Sequence, residues 1–246
     1  GGGLPTSARG LHVALVALAA GLCVAVYLVQ HKLHILFDGD YQSGCNLGGK
    51  INCDAVNLSG ASELFGLPIS LFAIPTYLLL MWLVSRAIRA LRIPDAPFRQ
   101  EARVALQLAS AIAFFTVVYS VYLAWYSTVE VQAYCLYCIS LYVVNLLVLV
   151  LLLRAGPRRV GAAISGSLKA LADLNPPIKT ATGVFVIASG LSWAAYDMAR
   201  DEFEIAGMES EIARVESEIA RVVADRAEWE ALDAMLVDEP PIGGVE

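Results

Sequence analysis

Apolar residues fill five stretches of the chain, and polar ones collect between them. The stretches run from about Leu11 to Val29, Leu67 to Ala90, Val104 to Tyr126, Cys135 to Leu153 and Ala181 to Met198. A helix of about 20 apolar residues crosses the hydrocarbon core of a bilayer, so the pattern predicts five membrane spans. The first is too long for the apolar region of a cleaved leader and lacks a small-x-small cleavage site near its end. The fifth is short and contains Gly183 and Gly190. Pro68 opens the second span, where a missing N–H costs nothing, and Pro75 inside it predicts a kink. Val160 to Leu174 reads as a weakly amphipathic interfacial helix, ended by Asn175-Pro176-Pro177.

Beyond the fifth span the pattern changes. Ile205, Met208, Ile212, Val215, Ile219 and Val222 recur at spacings of three and four among Glu, Arg and Ala. This predicts an extramembrane amphipathic helix with a heptad stripe. It serves a dimer, packs on its own chain or acts as a spacer. The domain reading is a membrane domain over 1–199, the helix over 200–236, and a linker-like tail over 237–246 of the kind that precedes a thioredoxin-like domain.

Charge sharpens this picture. Only 16% of the residues are charged, against about 25% in soluble domains. Of 23 acidic residues, 15 lie between Asp197 and Glu246, and an acidic tail argues against nucleic-acid binding. The loop between spans two and three carries Arg86, Arg89, Arg92, Arg99 and Arg103. That between spans four and five carries Arg154, Arg158, Arg159, Lys169 and Lys179. Positive loops stay cytoplasmic, so the segments 31–66 and 127–134 and the C-terminal helix are expected outside, where disulfides persist.

Four cysteines lie on that outer side. Cys135-Leu136-Tyr137-Cys138 opens span four. Cysteines three apart share a helix face, and a helix N-terminus favours the thiolate. Cys138 is expected about 4.5 Å deeper than Cys135, with Tyr142 one turn below on the same face. Cys45 and Cys53 flank Gly48-Gly49, which predicts a flexible loop suited to disulfide exchange. A purely structural Cys45–Cys53 staple is the alternative. A four-cysteine zinc site fits poorly, because such sites place both pairs at short spacing. No metal is expected. Cys23, in mid-span, reads as a small buried hydrophobe. His12, His31 and His34 read as interfacial. Asp54 reads as a solvated loop charge, with proton acceptance as the alternative.

These elements together resemble the vitamin K epoxide reductase family, and in particular its bacterial members. The resemblance covers roughly residues 10–199. It rests on Cys45 and Cys53, on Ser59 six residues later, on Cys135-x-x-Cys138 with Tyr142, and on the stretch from Cys53 to Phe65-Gly66-Leu67-Pro68. It implies an all-α membrane protein: a four-helix transmembrane bundle around a quinone, plus a fifth transmembrane helix. The implied activity is disulfide formation in a thioredoxin-like protein or domain, coupled to reduction of ubiquinone, menaquinone or a vitamin K-type quinone. Electrons would pass from Cys45/Cys53 to Cys135/Cys138 and on to the quinone. Cys138 would face the quinone, and Ser59 and Tyr142 would hydrogen-bond its oxygens. The expected location is the inner membrane of a bacterium, with the cysteines periplasmic.

The animal members are thought to use an asparagine in span two, and none lies between Leu67 and Ala90; Ser70 or backbone groups would substitute. Tyr119, Tyr122, Trp125 and Tyr126 read as an interfacial aromatic belt, with lining of a quinone pocket as the alternative. Three other functions compete. One is a thiol-driven reductase of vitamin K-type quinone or epoxide. Another is an unrelated four-helix quinone-dependent disulfide oxidase, against which the Ser59 and Tyr142 spacing counts. The third is a non-enzymatic membrane anchor with structural disulfides and an assembly helix.

Overall fold

The computed structural model describes residues 6–38, 41, 43–64, 66–93, 96–157, 159–172 and 176–237. Nearly all regular structure in them is helical: α1 (Thr6–Phe37), α2 (Cys53–Asn57), α3 (Ile69–Leu91), α4 (Ala96–Tyr126), α5 (Leu136–Ala155), α6 (Val160–Ala172) and α7 (Pro176–Val237). A two-stranded hairpin, β1 (Glu63–Leu64) with β2 (Leu67–Pro68), is the exception, and Gly66 turns it at φ +78°. Four helical segments among the described residues are long and apolar enough to cross a membrane: Arg9–Phe37, Ile69–Leu91, Phe98–Val131 and Leu136–Ala155. The fifth predicted span is the first part of α7, diluted by Gly183, Gly190 and hydroxyl residues. The chain forms two compact units, Gly1–Arg200 and Asp201–Glu246. The tail beyond Val237 lies outside the described residues.

The first unit is a four-helix ring in which α1 and α4 each pack against both α3 and α5. Its core joins Leu11, Leu18 and Ala25 of α1 to Leu80, Leu83 and Val84 of α3, Ala105, Ala109 and Ala113 of α4, and Val148, Leu149 and Leu152 of α5. Lipid is as apolar as leucine, so association in a bilayer rests on close packing of small residues. Gly21 shows this most sharply: a Cβ there would lie 3.1 Å from both Tyr77 and Val144. The interfacial helix appears as α6, packed on α4.

Residues 43–64 and 66–68 fold over one end of the ring, where α1 and α4 finish and α3 and α5 begin. Their polar groups are tied to the helices below. Lys32 of α1 is 1% exposed. Its Nζ donates to the Asn57 carbonyl (3.0 Å) and Ser62 Oγ (3.1 Å), and pairs with Glu63 at 2.7 Å. A buried ammonium is tolerated only when paired and hydrogen-bonded in this way. Replacing it removes both hydrogen bonds and the Glu63 ion pair, although the Ser62 hydroxyl still donates to the Asn57 carbonyl, at a cost of about 1–3 kcal/mol. Lys32→Met is therefore expected to lower the thermal midpoint in detergent and to open the segment Asn57–Glu63 to limited proteolysis. An unchanged midpoint and cleavage pattern would contradict the clamp.

Candidate functional site

Cys45, Cys53 and Cys135 are buried together in one cluster with Leu28, Val56 and Ala133, and Cys138 packs against it. Cys45 and Cys53 form a disulfide with Cα atoms 5.8 Å apart. Cys135 and Cys138 are thiols. All four predicted cysteines thus meet at one end of the bundle.

The loop that carries the disulfide is held in place, contrary to the expectation of a flexible one. Tyr134 N–H donates to the Lys50 carbonyl (2.7 Å) and Asn52 N–H to the Tyr134 carbonyl (3.1 Å), giving a parallel bridge between Ile51 and Tyr134. Asn52 then caps α2, its Oδ1 accepting from Ala55 N–H at 2.9 Å. Asn46 Oδ1 accepts from Cys53 N–H at 3.1 Å, and Asn46 Nδ2 donates to Asp54. Gly48 and Gly49 have φ of +85° and +63°. They serve a left-handed turn that side chains resist, rather than supplying slack. As a result Cys53 is 0% and Cys45 4% exposed.

His31 and Asp54 also depart from their sequence reading. His31 is buried, with Nε2 3.1 Å from Asp54 Oδ1 and Nδ1 3.0 Å from the Tyr41 hydroxyl. Its ring stacks on Tyr27, which meets Tyr137. The carboxylate beside Cys53 is therefore anchored to α1. Cys23, by contrast, is exposed on the bundle surface rather than buried.

Cys135 is the N-cap of α5. Its Sγ accepts from Cys138 N–H at 3.3 Å, and extended backbone at Cys135 (φ −106°) suits a cap. A hydrogen bond from the Cys138 thiol, with further ones from the Cys138 and Tyr137 N–H groups, holds the Cys135 pKa below the usual thiol range. Burial and the nearby Asp54 carboxylate oppose this.

Cys138 borders two adjoining cavities. The larger, about 450 Å³, lies between α3, α4 and α5, and Ser70, Tyr77, Tyr119, Ser120, Cys138, Tyr142 and Asn145 are on its wall. The smaller, about 40 Å³, is bounded by Ser59, Ser70, Tyr126, Cys138 and Tyr142. Ser59 and Tyr142 thus lie at the same junction as Cys138. The Ser59 hydroxyl donates to the Val56 carbonyl at 2.7 Å. Of the aromatic cluster at the end of α4, Tyr119 and Tyr126 border the cavities, while Tyr122 and Trp125 are exposed. The belt and pocket readings each account for part of it.

Two wall residues stand out. Ser70 is buried, and its hydroxyl has no partner among the described residues. Asn145 accepts from Tyr77 OH (2.9 Å) and donates to Ser120 Oγ (2.9 Å). The asparagine of this site thus lies on the fourth span and not on the second, where the family resemblance pointed. Its signal was spacing: Cys138, Tyr142 and Asn145 fall at i, i+4 and i+7, one face of a helix. A mostly apolar cavity with a few directed polar groups and the buried, unpartnered Ser70 hydroxyl suits a flat, lipid-soluble ring bearing oxygen acceptors.

No individual curated protein matches the chain. The model of the vitamin K epoxide reductase family matches residues 12–153, which span α1 to α5 and contain every cysteine and cavity residue described above. A membrane bundle with a loop disulfide, a Cys-x-x-Cys at a helix mouth and an apolar cavity beneath it is what thiol–disulfide chemistry on a quinone or epoxide requires, and the chain belongs to the vitamin K epoxide reductase family.

Proposed function

We propose that this chain is a bacterial inner-membrane oxidoreductase that forms disulfides in a thioredoxin-like partner and passes the electrons to a quinone. One observation carries the reading: the cysteines share a buried cluster, and among them Cys138 borders the apolar cavity. The arginine-rich connections at the opposite end of the bundle support a periplasmic cysteine end.

Each exchange makes one S–S bond and breaks one. A partner thiolate attacks Cys45, releasing Cys53 as a thiolate. A second partner thiolate then displaces Cys45 and closes the partner's disulfide. Cys53 attacks Cys135 of a Cys135–Cys138 disulfide, releasing Cys138 as a thiolate. Cys45 attacks Cys53 and releases Cys135. Cys45 is buried, so entry of the partner requires the loop that carries it to swing outward. Asp54, held by His31, adjoins Cys53 in the chain and serves as a base when the released Cys53 thiolate has picked up a proton and must lose it before attacking Cys135. A low thiol pKa makes a better leaving group, and Cys135 leaves in the final exchange.

A quinone in the cavity supplies a two-electron, two-proton acceptor. Around it the buried Ser70 hydroxyl has no hydrogen-bond partner among the described residues, and Ser70 and Tyr142 serve as donors to ring oxygens. Ser59 serves the same end from the smaller cavity once its hydroxyl turns from Val56. Donors aimed at developing negative charge act mainly in the transition state.

Two outcomes test this reading. With a reduced thioredoxin-like protein as electron source, Cys138→Ala is expected to abolish quinone consumption. Tyr142→Phe is expected to slow it about a hundredfold, the usual cost of losing one such donor. Undiminished turnover by Cys138→Ala would end the assignment. In the reduced protein, site-resolved alkylation of Cys135 against pH is expected to show a midpoint below that of an ordinary thiol, about 8.5. Asp54→Asn removes a group that opposes the shift, so it should lower the midpoint further. Cys138→Ala removes the main cause, so it should raise it.

A further inference from the structure

The second unit carries a surface that the redox chemistry does not use. Ile205, Met208, Ile212, Val215, Ile219 and Val222 form a seam along α7, and Trp229 falls one heptad beyond Val222. These side chains are between 47% and 73% exposed. The flanks of the seam are acidic on both sides. Glu204, Glu211, Glu218 and Asp225 follow one edge, and Glu209, Glu216 and Glu230 the other, where Val223 is the one apolar member. All of these acids are exposed.

The flanks of such a seam choose its partner, because residues there meet those of the facing helix. A parallel pair of these helices would set Glu204 against Glu209, Glu211 against Glu216, and Asp225 against Glu230. An antiparallel pair would set each acidic edge against itself. Self-pairing is therefore repulsive in either direction. A lipid surface fits no better, since helices that lie on membranes carry lysine and arginine on their polar face. Arg214 and Arg221 sit outside the first acidic edge, whereas alanines 206, 213, 220 and 227 sit outside the second. Arg226 interrupts the seam and pairs with Glu230 at 3.5 Å.

We infer that Glu204–Glu230 is a docking strip for a partner helix whose apolar seam is flanked by lysine or arginine. Burying the seam removes large aliphatic side chains and Trp229 from water, and the flanks add charge pairs that both attract and set register.

The test uses the full chain in nanodiscs and two labelled peptides of about four heptads. Both carry isoleucine and leucine at the seam; one has lysine at every flank position and the other glutamate. Fluorescence anisotropy is expected to show saturable binding of the lysine peptide, weakened about tenfold when salt rises from near-physiological to several times that level, and none of the glutamate peptide. Ile212→Ser with Ile219→Ser should abolish binding. The charge reversal Glu209→Lys, Glu211→Lys, Glu216→Lys, Glu218→Lys should exchange the preference while leaving the seam intact, so a misfolded seam variant does not obscure the result. Circular dichroism checks that α7 stays helical. Equal binding of both peptides, binding of neither, or self-association of the chain that Ile212→Ser with Ile219→Ser removes would each overturn the inference.

Discussion

Two main-chain hydrogen bonds, from Tyr134 to the Lys50 carbonyl and from Asn52 to the Tyr134 carbonyl, hold the two cysteine pairs together. They join segments more than 80 residues apart in sequence and bind the loop disulfide to the turn that opens α5. The bridge lies immediately before Cys135 on one strand and just before Cys53 on the other, so register along it sets which sulfurs face each other. Backbone bonds suit this task. They do not depend on side-chain rotamers, and the residues they join at Ile51, Asn52 and Tyr134 are half-buried.

The same end of the bundle concentrates polar side chains that would be costly if left alone. Lys32 gathers Asn57, Ser62 and Glu63, while His31 gathers Tyr41 and Asp54. These neighbours on α1 point to different parts of the overlying segment. One steadies the stretch that carries Ser59, and the other the stretch that carries Cys53. Helix α1 acts as a two-armed support, and its interior residues below this level are almost wholly apolar.

Much of this was legible in the sequence, because membrane helices announce themselves by length and apolarity and because cysteine spacing is sparse enough to read. The long helices and the Cys-x-x-Cys at a helix mouth follow from such signals, Tyr142 from its helical spacing to Cys138, and Ser59 from the resemblance to the family. What was missed depends on long-range partners. Gly48-Gly49 permits both slack and a tight left-handed turn, and only the bridge to Tyr134 decides between them. His31 looks interfacial until Asp54, 23 residues on, is brought against it. Asn145 sits on α5 and not on the second span, although its spacing from Cys138 and Tyr142 marks one helix face. Cys23 faces outward, and nothing in its neighbours indicated which side of α1 it takes.

In the relay proposed above, the sulfur that caps α5 also changes bonding partner. A thiolate at Cys135 is a strong acceptor for the Cys138 amide, whereas a disulfide sulfur is a poor one. Oxidation therefore withdraws the cap and leaves the first turn of α5 with an unsatisfied amide, while reduction restores it. On the proposed relay, the helix end that borders the cavity would loosen or tighten with the redox state of the Cys135–Cys138 pair, coupling an exchange of two electrons to local order at the cavity rim.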